Sequence, residues 1–358
     1  MKRFGILLAS FLLIMGKLWA IPENYDIYGV DEKTKQLISA ACSDLMSEHL
    51  AYMSKLFTSP TNPSESELRY KEIIELKILD KAKQFGHFSH AKLSSVHYPT
   101  DKKIYVTLDL VNETDKYRIP KQIKTRAHAD YPHKKEVNEL FAIWYAYQDR
   151  QYDLIRKNQM DFGKLTCPVT HCIWGFNDKE LKETLPKIKQ AVAKHKADLI
   201  EIIKHSTHDQ KRADAVFILA HDDNYIELAS FLINYTDDSS EMVRNNVMRV
   251  LGAIAFKHEL KQLDIQRILD ALNYPYVSDR NKAAYVLLGI AKHNPATHSV
   301  IIHQAGDTLL QLLKLQQPNN HDFAYHILKE ISKKSYGERD YLSWKNWLRT
   351  QRSLSAIS

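Results

Sequence analysis

Glycine and proline are scarce in this chain of 358 residues, ten and eleven respectively, which excludes collagen-like and low-complexity architectures. Several site signatures are missing as well: there is no Gly-x-Ser-x-Gly elbow, phosphate-binding glycine loop, dinucleotide fingerprint or His-Glu-x-x-His helix. Nothing in the sequence therefore points to a cofactor, and the pattern favours a non-enzymatic role. Beyond the first twenty residues no segment is apolar enough to span a membrane, which takes roughly twenty apolar residues as a helix. A strong charge of one sign is also lacking. Residues 1–20 hold three of the 50 basic residues and none of the 43 acidic ones, so the remainder carries only +4. That balance does not argue for a nucleic-acid partner, which usually requires basic residues gathered on one face. What the chain does have is 44% hydrophobic residues, enough to fill the cores of two domains.

The first twenty residues have a three-part layout. Lys2 and Arg3 make a basic start, residues 4–15 are an almost unbroken apolar run, and Ala20 precedes Pro22-Glu23-Asn24. This is the pattern of a secretory signal peptide, and the apolar run is too short for a permanent anchor. Export to the periplasm or the exterior is expected, with cleavage near Ala20. Leu18 and Lys17 depart from the usual pattern at the cut, and Cys42 lies too far along to be a lipid-attachment site.

Export gives the three cysteines weight. Cys167 and Cys172 bracket Pro168-Val169-Thr170-His171, a gap that can bring two sulfurs within bonding distance. Cys42 sits among Leu37, Ile38, Ala41 and Leu45 at helical spacing and is expected to be a small buried apolar residue. A local Cys167–Cys172 disulfide would fix the joint that precedes the helical half. Two alternatives use the same residues: a redox pair, or a zinc site in which His171 is joined by His128 and His133. An enzyme on this chain would accordingly be centred on Cys167, His171 and Cys172.

From Asp178 onward helical periodicity is nearly continuous, and it repeats. Taking Arg212, Arg244, Arg280 and His321 as anchors, the third position after each is Ala215, Val247, Ala283 and Ala324. The sixth is Ile218, Val250, Val286 and Ile327, and the seventh is Leu219, Leu251, Leu287 and Leu328. Arg249 and Lys282 fall off these columns and are expected at the surface. Polar residues precede each anchor helix and are expected to cap it: Thr207-His208-Asp209, Asp237-Asp238-Ser239, Ser278-Asp279 and Asn319-Asn320. Second helices carry their own apolar stripes, at Tyr225, Leu228, Ala229, Leu232 and Ile233, at Ile265, Ile268, Leu269 and Leu272, and at Leu309, Leu310, Leu312 and Leu313. A lone pair of helices cannot bury both apolar faces, so neighbours must stack. Residues 238–251, with an acidic turn, Val243-Arg244 and apolar positions at helical spacing, resemble a HEAT repeat, and residues 278–288 resemble a second copy. The resemblance covers residues 178–335 and implies an α-solenoid. Tyr341, Trp344, Trp347 and Leu348 then share one face of a terminal capping helix.

Residues 24–114 are expected in the order strand, helix, helix, strand, strand. A strand over residues 25–30 ends at Gly29, Asp31 caps a first helix, Ser64 with Glu67 forms a capping box for a second, and residues 88–98 and 103–112 make a hairpin. In its second strand Ile104, Val106, Leu108 and Leu110 share a face, the alternation of a half-buried strand. This order, with Gly86-His87-Phe88 opening the hairpin and Leu110-Val111-Asn112-Glu113 closing it, resembles a polypeptide-transport-associated (POTRA) module. What that resemblance implies is a sheet edge able to bind protein.

The expected organisation is a signal peptide over residues 1–20, a small α+β domain over 21–118, a connector over 119–177 and HEAT-like helical repeats with a cap over 178–358. The fold class is mainly α. Within the connector, Lys121, Lys124 and Arg126 lie in a polar stretch expected to be a solvated loop, followed by a long helix carrying Leu140, Trp144, Tyr147 and Leu154 on one side. The expected function is an exported adaptor or scaffold that binds another protein. Outward-facing residues of the second helices, Glu227, Gln266, Asp270, Gln311 and Lys314, are the candidate surface.

Overall fold

The computed structural model describes residues 22–59, 63–98, 103–120 and 134–355. The segment expected to be a signal peptide, the expected turn over 99–102 and the basic stretch with His128 and His133 lie outside the described residues. The described residues are mainly helical with one three-stranded sheet, and they form two units.

The first unit runs to Ile119 and includes the short segments Pro275–Val277 and Leu315–His321. Its elements are β1 (Tyr25–Tyr28), α1 (Glu32–Thr58), α2 (Glu65–Ala82), β2 (Phe88–Tyr98) and β3 (Lys103–Asn112). Asp31 starts α1 by accepting the Thr34 amide at 2.9 Å, and Ser64 and Glu67 form the reciprocal capping box of α2. Gly29, at φ +92°, turns the chain between β1 and α1 where a Cβ would collide with the Leu110 carbonyl oxygen. The sheet order is β1-β3-β2, with β1 parallel and β2 antiparallel to β3. Ile104, Val106, Leu108 and Leu110 pack with Tyr25 and Ile27 of β1, with Ile38, Cys42 and Met46 of α1, and with Ile74 and Ile78 of α2. Burial pushes the Cys42 thiol above its ordinary pKa, as an apolar site does to a group that charges by losing a proton.

The alternation expected of β3 fails on its other face, where Thr107, Asp109 and Val111 are also fully buried. The reason lies far along the chain. Tyr276 meets His90 at a tilt, with 5.2 Å between ring centroids, and the Lys92 ammonium sits 4.6 Å from its centre; His90 and Lys92 are both on the strand that neighbours β3. Asp26 of β1 is drawn into the same unit. Its carboxylate accepts the Gln316 amide at 2.9 and 3.0 Å and the Gln317 amide at 2.9 Å.

The second unit holds α3 (Lys135–Arg156), α4 (Lys179–His205), α5 (Asp209–Leu219), α6 (Tyr225–Leu232), α7 (Glu241–Lys257), α8 (Ile265–Ala271), most of α9 (Val277–His293), α10 (His298–Gln304), α11 (Gly306–Leu313), most of α12 (Pro318–Ser332) and α13 (Tyr341–Ser355). The expected connector helix, α3, lies in this unit. It packs on α4, buries Leu140, Trp144, Tyr147 and Leu154, and sends Trp144 Nε1 to Asp214 at 3.2 Å. Next come α4 on α5 and α5 on α7. Every member of the three apolar columns is buried, from Ala215 to Leu328. On α13, Trp344 and Leu348 are buried, and Trp344 donates its indole N–H to the Gly337 carbonyl at 2.9 Å.

The anchor arginines are buried too, which the apolar pattern does not foretell. Arg212 donates to the Ser206 carbonyl at 2.8 Å, Arg244 to the Asp238 carbonyl at 2.7 Å and Arg280 to the Tyr274 carbonyl at 3.0 Å, six residues back in each case. Arg212 also reaches Asp238 at 2.9 Å, and Arg244 reaches Asp279 at 2.8 Å. This recurring bond corrects the capping expectation. His208 provides no side-chain cap, Ser278 and Asp279 already lie within the first turn of α9, and Asn319 and Asn320 lie within that of α12. A buried guanidinium needs a carboxylate more than a helix end, which water can reach, needs a cap.

Candidate functional site

The loop between Cys167 and Cys172 is the first wall of the site. Their Cα atoms are 5.6 Å apart and the sulfurs are joined, as the spacing predicts, while Cys42 is free and buried. The loop is tied down along its length. Thr170 gives its amide to the Ala220 carbonyl at 3.2 Å, and the Lys257 ammonium donates to the carbonyls of Val169 at 3.1 Å and Thr170 at 3.3 Å. His171 lies flat on Phe217, with centroids 5.0 Å apart and planes 9° from parallel. Burial, together with the charges of Arg249, His221, Lys257 and Lys282, pushes the His171 pKa down to about 3. Its imidazole is therefore neutral near pH 7. With both sulfurs in the bond, the trio of the enzyme alternative presents neither a thiolate nor an imidazolium in this structure. The two further zinc ligands of that alternative, His128 and His133, lie outside the described residues, and among the described residues no group of three His, Cys, Asp or Glu side chains is placed to hold a metal ion.

From Phe217 a chain of rings and cations crosses the anchor helices. The Arg249 guanidinium, on α7, stands 5.2 Å from the Phe217 ring centre. One turn further along α7 is Gly252, where any Cβ would run into the ring of Tyr285 on α9. Phe256 stacks on Tyr285 at 4.8 Å, Phe323 of α12 approaches the same ring at 5.7 Å, and the Lys292 ammonium lies 4.8 Å from the Phe256 centre. Lys282, one turn before Tyr285, donates to Asn281 Oδ1 at 2.7 Å.

The electrostatics of this face are one-sided. Arg249 and Lys282 are both half-buried, not at the surface as their positions off the columns suggest. Burial draws the Arg249 guanidinium below its ordinary pKa, and burial plus the Arg249 charge lowers Lys282 to about 8. Among the described residues neither cation has a carboxylate within ion-pair distance, and Arg249 donates no hydrogen bond. The contrast with Arg212 and Arg244, which hold Asp238 and Asp279, is sharp. Chemically, such a face can take anionic groups on its cations and apolar or aromatic groups on its rings.

No protein-family model, curated protein or solved structure matches the chain. The functional reading therefore rests on the geometry of this face.

The five second-helix candidates are all exposed. They do not form one set. Glu227 is held by Lys196 at 2.6 Å and by Asn224 at 3.0 Å; Gln266 and Asp270 bond to each other at 2.9 Å; the Lys314 ammonium covers Tyr341 at 4.2 Å; and Gln311 faces a shallow cleft between α11 and α13. Periodicity passes over the residues of the ring-and-cation face because it scores apolar positions. A usable signal is present all the same: the fifth residue after each anchor is Phe217, Arg249, Tyr285 and His326, a column of large side chains of mixed chemistry.

Proposed function

We propose that this chain is an exported, non-enzymatic adaptor that binds another protein on the ring-and-cation face of α5, α7, α9 and α12. The observation that carries the reading is that Arg249, over the Phe217 ring, and Lys282 are half-buried without a carboxylate partner, whereas the buried Arg212 and Arg244 of the same unit are paired with Asp238 and Asp279. Holding unpaired cations at a desolvated surface costs stability, and a partner that supplies the opposite charge recovers it.

Two further features support the reading. Buried columns in register, together with an arginine bonded six residues back in three successive anchor helices, support a HEAT-like stack of helical pairs that share their seams. The β-α-α-β-β order of the first unit fits a POTRA-like envelope module, whose sheet edge would be a second docking surface. Export rests on the residues of the first twenty positions.

The test is site-specific photo-crosslinking in the native host. A photoreactive amino acid replaces Phe256 or Tyr285 in one set of cells and Gln266 or Gln311 in another. A discrete adduct with one protein from the first set supports the adaptor and its face. Adducts from the second set alone would move the interface to the second helices, and no adduct from any position would sink the adaptor reading.

A further inference from the structure

The ring-and-cation face also indicates what kind of partner it fits. Its two central cations, Arg249 and Lys282, are half-buried, and of the exposed ones Lys292 lies over a ring while Lys257 holds the Val169 and Thr170 carbonyls. Arg249 is pinned over Phe217, Lys282 lies one turn from Tyr285, and Lys292 lies over Phe256. A nucleic acid or other dense polyanion gains most of its affinity from many exposed Lys and Arg side chains along its path. Here the charges are separated by apolar surface from Tyr285, Phe256 and Phe323, which calls for a ligand that alternates acidic and apolar groups. The guanidinium is also planar, with paired donors that match a carboxylate in two parallel hydrogen bonds.

The floor beneath the rings is built for close approach. Gly252 lets the Tyr285 ring lie against the α7 backbone, and Gly289, where a Cβ would meet Ala255 and Phe256, does the same between α9 and α7. At the open side the Cys167–Cys172 loop, clamped by Lys257, fixes His171 against Phe217. The surface is thus set before any partner arrives, which limits the ordering cost of binding.

We infer that this face binds an acidic peptide segment of a partner protein, with one carboxylate taken by the Arg249 guanidinium, a second by the Lys282 ammonium, and an apolar or aromatic side chain laid on Tyr285 and Phe256. This inference rests on the adaptor reading and adds to it the chemistry of the bound segment.

The probe is a random copolymer of glutamate and tyrosine, titrated into the full chain at low ionic strength, where charge attraction is least screened. Arg249→Met and Lys282→Met keep most of the apolar cover and remove the charge, and Lys194→Met, at an exposed lysine of α4, is the control. Copolymer binding should weaken about tenfold in each of the first two variants and stay unchanged in the third. A second readout does not depend on how the variants fold. A zero-length carbodiimide should join copolymer carboxylates to the Lys282 ammonium of the unaltered chain, as located by mass spectrometry.

The inference is overturned if the copolymer does not bind, if binding ignores both substitutions, or if cross-links form only at lysines away from this face. It is equally overturned if polyphosphate, at equal charge concentration, binds more tightly than the copolymer and with the same dependence on Arg249, because the ligand would then be a polyanion and not a peptide. Any of these results alongside a discrete photo-adduct at Phe256 leaves the adaptor standing and removes only the acidic segment.

Discussion

Replacing Lys282 with methionine should make the protein more stable, and more so at neutral than at alkaline pH. Lys282 is lowered from 10.5 to about 8 by burial and by the Arg249 charge, so its protonated form is disfavoured in the folded state. Each tenfold loss of proton affinity corresponds to about 1.4 kcal/mol, which sets an upper bound of roughly 3 kcal/mol for the cost of folding with this charge. The side chain is half-buried and partly screened by solvent, so about 1.5 kcal/mol is the working figure.

The sign follows from proton counting. Between pH 8 and 10.5 the unfolded chain holds the Lys282 proton while the folded chain has lost it, so stability from this group rises with pH across that window. Below pH 8 both states are protonated and the whole cost remains. Lys282→Met abolishes the cost and the pH dependence together. Urea melts of the full-length parent and variant should therefore differ by about 1.5 kcal/mol in favour of the variant near pH 7, and the gap should close as the pH approaches 10.5. A less stable variant at neutral pH, or a gap that does not change with pH, would refute the claim that the lysine is held charged against its environment.

Other consequences can be checked with the same full-length protein. Leu251→Ala and Leu287→Ala, in fully buried columns, should each lower stability by about 2–5 kcal/mol in urea melts. Arg244→Ala strands the buried Asp279 carboxylate and should cost about 3–5 kcal/mol, recovered in part by Asp279→Asn in the same chain. Thiol titration without reductant should find one reactive group, Cys42, and only after unfolding; reduction should raise the count to three.

Much of the helical architecture is legible in the sequence because burial on a helix leaves a period. Ala215, Ile218 and Leu219 recur as Val247, Val250 and Leu251 because both sets must meet a neighbouring helix, and spacing alone records that. Local chemistry is legible for the same kind of reason. Asp31, the Ser64–Glu67 box and the Cys167–Cys172 loop satisfy their bonds within a few residues. What cannot be read is set by partners distant in sequence. Asp279 has the local setting of a capping residue, yet Arg244, 35 residues earlier, claims it. Arg249 and Lys282 have the spacing of solvent-facing residues, as charged residues usually are. For Arg249 it is the Phe217 ring, from another helix, that shows the cation lying half-buried at a face. Near Thr107 and Asp109 on β3 there is no local sign of the chain that covers them.

The carboxylate of Asp26 receives the amides of Gln316 and Gln317, partners 290 and 291 residues further along the chain. A chain made from its N-terminus therefore carries β1 without these two donors until residue 317 is in place. Closing so long a loop adds little to the equilibrium cost of folding, because that cost grows only with the logarithm of loop length, but contacts of such sequence separation slow folding. β1 thus receives these hydrogen-bond donors only after most of the chain has been made.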